Sequence, residues 1–160
     1  MKAVPRMAER KVAEILSEFY ISLGCRPVKR IPVLGKTGPD IELNEFNFAV
    51  DVKSRISIPA SLLAKSGELI VAPGMIGFRI SDVGKLEALR RQDVRSSVTV
   101  KRWLDHQHEW TTKNTQDGIS AIALRRPGMR MDATTIIILE TQEQLWNQRI
   151  QQFRHKILAS

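Results

Sequence analysis

Three side chains in this sequence have the types and spacing for phosphodiester chemistry. Asp40 follows Gly38-Pro39, Asp51 comes after two short apolar runs and a polar turn, and Lys53 stands two residues further on. In an extended strand alternate residues share a face, so Asp51 and Lys53 project together, about 7 Å apart along the chain. Asp40, on the other arm of an expected β-hairpin, can face both. Mg²⁺ prefers oxygen donors, keeps several waters and is held by one or two carboxylates, which makes Asp40 and Asp51 candidate ligands. A metal there would polarise a scissile phosphate and acidify a bound water. Lys53 would orient that water or neutralise charge in the transition state. Taken singly, these residues have plainer roles, Asp40 as a turn cap and Asp51 with Lys53 as a solvated strand face. Two acids and a lysine on one sheet face form paired charge that folding alone does not require, and the spacing weighs toward a joint site.

The partner such a site would act on is suggested by charge. The chain has 160 residues, 25 Lys and Arg against 17 Asp and Glu, and a net charge of +8. That length suits one domain with a substantial core, and that excess of positive charge favours a polyanion, most commonly nucleic acid. The single cysteine, Cys25, excludes an intrachain disulfide and fits a reducing compartment. No apolar run approaches the roughly 20 residues of a membrane span. The opening MKAVPRMAER lacks the apolar core of a secretory signal, so a cytoplasmic location is expected.

The elements that must position these residues follow from periodicity. Pro5 suits the first turn of a helix, and Met7, Ala8, Val12, Ile15, Leu16, Phe19 and Leu23 repeat at helical spacing to about Ser22. Arg10, Glu14, Ser17 and Glu18 form the wet side. Glu9 leans toward the buried stripe. It is either an acid in need of a partner or an exposed first-turn acid favouring the helix dipole. Gly24 ends the helix. Strands are expected at Cys25–Val33, Asp40–Leu43 and Phe48–Ser54, with a glycine loop at Leu34–Pro39 and a turn at Asn44–Asn47. Residues 56–98 read as an insertion in which Ile56–Leu63 starts as a strand and becomes a helix near Pro59 and Ser61, with strands at Glu68–Ala72 and Gly77–Ile80 and a helix over Ser81–Arg91. A helix over Val100–Asn114, strands at Ile119–Leu124 and Thr134–Leu139, and a last helix from about Thr141 to Leu158 complete the chain. The order predicts an α/β fold, three layers with a central mixed β-sheet flanked by helices.

Gly38-Pro39-Asp40 followed by Asp51-Val52-Lys53 resembles the PD-(D/E)XK nuclease superfamily. The wider stretch is similar to the archaeal-type Holliday junction resolvases and their phage-borne relatives. Glu9-Arg10 matches the Glu-Arg pair that opens their first helix, and Leu23 to Arg30 matches their passage into a basic strand. Ile119–Leu124 with Arg125, Arg126, Pro127 and Gly128 is also similar. The resemblance covers residues 1–55, and 100–140 more loosely. It departs where Leu34 precedes Gly35 in place of a serine, leaving Thr37 as the nearby hydroxyl. It departs again in having Asp51 rather than Glu, and in the extra length of 56–98.

The resemblance implies a restriction-endonuclease-like core and a single nuclease domain over 1–160. It implies a Mg²⁺-dependent endonuclease, with Mn²⁺ able to substitute, that nicks four-way DNA junctions to 5′-phosphate and 3′-hydroxyl ends. A homodimer would match a two-fold substrate. By the same resemblance Glu9, Asp40, Asp51 and Lys53 are catalytic, and Glu9, Asp40, Asp51 and the Val52 backbone carbonyl hold the metal. Arg10, Arg30, Lys36, Thr37, Arg55, Arg125 and Arg126 are the expected DNA contacts. The alternatives are another DNA nuclease of the superfamily, restriction-like or repair, and a non-catalytic DNA-binding module. His106 and His108 would point apart on a helix and make a poor zinc site. Trp103 and Trp110, seven apart, read as packing, with base stacking the lesser reading.

Overall fold

In the computed structural model, which describes residues 3–32, 38–54, 74–80, 98–125 and 134–159, the first apolar stripe forms helix α1, Ala3–Ser22. Ala8, Val12, Leu16, Phe19 and Leu23 are buried along one face, as the three- and four-residue spacing requires. Met7, on the margin of the stripe, is 52% exposed. Gly24 closes the helix with a left-handed φ of 78°, and the Cys25 N–H returns to the Tyr20 carbonyl at 2.8 Å. Ser17, expected on the wet side, instead bonds both the carbonyl and the N–H of Val28 at 2.9 Å. It thereby docks the next segment on α1.

Among the described residues, four strands form one mixed sheet in the order β1-β3-β4-β2. They are β1, Phe48–Ser54; β2, Met75–Phe78; β3, Ile119–Arg125; and β4, Thr135–Leu139. β1 runs parallel to β3, while β3 with β4 and β4 with β2 are antiparallel. A parallel neighbour needs a crossover connection, and helix α2, Val98–Asn114, lies in the connection from β1 to β3. Every residue of β3 and β4 is buried, which accounts for their nearly unbroken apolar runs.

The sheet is covered on both faces. After a 3₁₀ turn, Glu140–Gln142, helix α3, Glu143–Ala159, brings Trp146 against Phe48 and Phe78 with ring centroids at 4.9 and 5.0 Å. Phe19 of α1 stacks on the same indole at 5.9 Å, so α1 and α3 share a face. α2 packs on the other face, where His108 Nδ1 lies 3.1 Å from Ser120 Oγ of β3. The chain is therefore mixed α/β, a four-stranded mixed sheet between helical layers.

Three local expectations change. The strands read at Cys25–Val33 and Asp40–Leu43 reduce, among the described residues, to one antiparallel bridge, Arg30 with Ile41. The expected hairpin is accordingly no ladder, because β1 spends its inner edge on a partner from far along the chain, β3. The segment 56–98, read as an insertion, contributes β2 at the other end of the sheet. The elements expected at Ile56–Leu63, Glu68–Ala72 and Ser81–Arg91 lie outside the described residues.

Candidate active site

β1 is an end strand, and its outer edge is where the first acid docks. The Asp40 N–H donates to the Val50 carbonyl at 2.9 Å. Its carboxylate Oδ2 accepts the Val52 N–H at 2.8 Å. The backbone groups of one strand residue point to the same side, so the Val52 carbonyl shares this outer edge with Asp40. Asp40 is held from the other direction by its own carbonyl, which accepts the Ile31 N–H at 2.7 Å.

The second acid and the lysine sit on the α2 face of the same strand. Asp51 and Lys53 alternate with buried Val50 and Val52, as period two demands. Lys53 Nζ lies 3.1 Å from Asp51 Oδ2, the two side chains 22% and 18% exposed. Trp103 of α2 lies beneath the ammonium at 5.4 Å from its ring centroid, a favourable cation–π distance. Trp110, two turns on, abuts Gly38: a Cβ there would come within 2.9 Å of the indole Nε1. Gly38 also has a φ of 121°, which suits only glycine. The two tryptophans of α2 thus wall the site, one under the lysine and one against the turn that presents Asp40. Spacing placed both on one helix face. What it could not show is that this face meets the acids.

Electrostatics mark Asp40 as the unusual group. Burial first, then a hydrogen bond to Asp51 and the Asp51 charge, push its carboxyl up to about 8. The charge of Glu9 adds to this, and the Val52 N–H opposes it. Two carboxylates in contact cannot both ionise cheaply, so one keeps a proton unless a cation replaces it.

Glu9 does have a partner, Arg30, with Oε2 3.2 Å from Nε and side chains 17% and 20% exposed. The expected third acid is therefore close enough to be felt at Asp40 but is held by a guanidinium. Among the described residues, no group of three or more His, Cys, Asp and Glu is gathered to hold a metal. The two carboxylates of Asp40 and Asp51 nonetheless suffice for Mg²⁺, which needs one or two.

The remaining candidates separate. Arg10 is exposed on α1. Arg125 is a correction: expected in a basic turn as a phosphate contact, it ends β3 as a buried residue, 3% exposed, and its guanidinium bonds Thr134 Oγ1. Lys36, Thr37, Arg55 and Arg126 lie outside the described residues. His106 is exposed and His108 faces Ser120, so the two histidines diverge as helical geometry predicts. Cys25 is a buried free thiol pushed up to about 11, mainly by burial, and unsuited to nucleophilic work. Arg149 of α3 was not singled out in the sequence. It donates to the carbonyls of Phe46 at 3.0 Å and Asp117 at 2.6 Å, tying together the turns that lead into β1 and β3. Nothing in its helical neighbours signals this.

With that geometry in place, the class the molecule defines is a mixed α/β protein with an acid and a lysine on an end strand and a second acid docked on that strand's outer edge. No family model, curated protein or solved structure matches the chain. Among the described residues, no helix is long and apolar enough to cross a membrane.

Proposed function

We propose that the chain is a Mg²⁺-dependent DNA endonuclease built on a restriction-endonuclease-like core, selective for four-way junctions and working as a homodimer. The observation that carries this reading is the docking of the Asp40 carboxylate on the Val52 N–H, at 2.8 Å, between the Asp51 and Lys53 that pair at 3.1 Å on the same end strand. Asp40, Asp51 and the Val52 carbonyl would hold the ion. Bound there, Mg²⁺ supplies Lewis-acid stabilisation of a phosphodiester and a more acidic water. Asp51 anchors Lys53 by an ion pair, and Trp103 restricts the lysine from below. The fixed ammonium then stabilises negative charge that develops on phosphate oxygens during attack. The net charge of +8 supports a polyanionic substrate.

One observation favours a second reading, a DNA-binding module without catalysis: Glu9 is neutralised by Arg30 rather than gathered with the aspartates. A labelled four-way junction incubated with Mg²⁺ separates the two. Nicking to 5′-phosphate ends is expected, with a linear duplex cut far less. Tight binding without cutting would favour the module. Asp51→Asn is expected to lower the cleavage rate by about a hundredfold or more while gel-shift affinity is kept. Normal cutting by that variant would remove the metal site from Asp51.

A further inference from the structure

Between α1 and the segment that follows it runs an open groove of about 530 Å³, its polar lining supplied by Arg10, Glu14, Ser17, Glu18, Lys29 and Arg30. Arg30 belongs to two places at once. It lines this groove, and its Nε is the partner of Glu9 Oε2 at 3.2 Å. Its backbone bridges Ile41, the neighbour of Asp40. Arg10 and Lys29 on the groove wall are both exposed, as are the acids Glu14 and Glu18, so an anion must seat on the side of the groove where Arg10, Lys29 and Arg30 stand, and Arg30 is already engaged with Glu9. A guanidinium binds phosphate bidentately and at least as readily as a single carboxylate oxygen.

We propose that Arg30 is a switch between carboxylate and phosphodiester: without DNA it pins Glu9, and a phosphate in the groove takes the guanidinium and frees Glu9 for the divalent ion. The inference rests on the metal-site reading above and adds its regulation. DNA and ion then bind with positive coupling, and by linkage each raises the other's affinity by the same factor. The protein alone is a weak ion binder, and a full ligand set assembles only on substrate. Arg30 is a positioning residue in this scheme, acting through Glu9.

The test measures ion binding, independent of turnover. Ca²⁺ affinity of the folded, DNA-free protein is measured by calorimetry for wild type, Arg30→Gln, Glu9→Gln and the double variant. Junction affinity is measured by fluorescence anisotropy with and without Ca²⁺ at matched ionic strength. Arg30→Gln is expected to bind Ca²⁺ alone about tenfold more tightly than wild type, within the usual range of coupling. Its junction affinity should gain less from Ca²⁺ than that of wild type. The gain in Ca²⁺ affinity should vanish in the Glu9→Gln background, which separates release of Glu9 from loss of a nearby positive charge. Equal, measurable Ca²⁺ affinity in wild type and Arg30→Gln would overturn the switch and leave the metal site standing. A gain that persists without Glu9 would overturn it too. Absence of Ca²⁺ binding in every protein, with DNA or without, would remove the metal site and the switch together.

Discussion

At the scale of single residues, Asp40 is the group whose ionisation most affects the rest. Its carboxyl is raised to about 8 in the folded protein, against about 4 in an unfolded chain. Between those values the folded state keeps a proton that the unfolded state has lost, so stability falls as pH rises from about 4 to about 8 and then levels. Denaturant midpoints measured across that window should decline, and Asp40→Asn should flatten the decline. A divalent ion that replaces the proton should flatten it as well, and its uptake below pH 8 should release protons in calorimetry with buffers of different ionisation enthalpy. Asp51 and Lys53 were legible in the sequence because period two puts them on one face, and Asp40 because Gly38-Pro39 announces a turn. Glu9 was legible only as an acid in want of a partner. Arg30, 21 positions away, carries no local signal linking it to Glu9. Arg125 misled because an Arg-Arg-Pro run looks like a turn, whereas β3 extends one residue further and buries it under Thr134.

At the scale of elements, α2 does more than cover a sheet face. Trp103 sits under Lys53 and Trp110 against Gly38, so one helix holds both halves of the site at a fixed separation. Gly38→Ala should therefore cost stability of about 1–3 kcal/mol through backbone strain at its positive φ, with a further collision against Trp110. Because that turn presents Asp40, divalent-ion affinity measured by calorimetry should fall with it, whereas a substitution at exposed Lys113 should change neither. The elements with strong periodicity, α1, β1, β3 and β4, could be read from the sequence. The hairpin could not. Turn residues at Asn44–Asn47 suggest local pairing, but β1 takes a parallel partner more than sixty residues away, and local patterns are blind to such pairings. The real turn is held instead by Asn44 Oδ1, which accepts the Phe46 N–H at 3.0 Å, and by Arg149 from α3.

At the scale of the whole molecule, the two helical layers divide the labour. The α1/α3 face holds an aromatic cluster centred on Trp146, which is fully buried and touches Phe19, Phe46, Phe48 and Phe78. The α2 face holds the polar site. Trp146→Ala should destabilise the fold by about 3–5 kcal/mol, read as a lower urea midpoint. Divalent-ion affinity per folded molecule should stay unchanged, because the cluster lies on the sheet face away from the Asp51 and Lys53 side chains.

The docking of Asp40 on β1 has a consequence outside chemistry. An end strand with free N–H and carbonyl groups is a template on which a second chain can add. Here the Asp40 N–H and carboxylate occupy Val50 and Val52, so the residue that would hold the ion also seals the margin of the sheet. Asp40→Ala leaves the Val52 N–H without its acceptor and should promote slow, concentration-dependent self-association, seen by light scattering. Asp51→Asn, with its side chain on the sheet face, should remain monodisperse to the same degree as wild type. An acid at position 40 is thus a guard against sticking to other copies as well as a candidate ligand, and the two duties are separable by which variant clouds the solution.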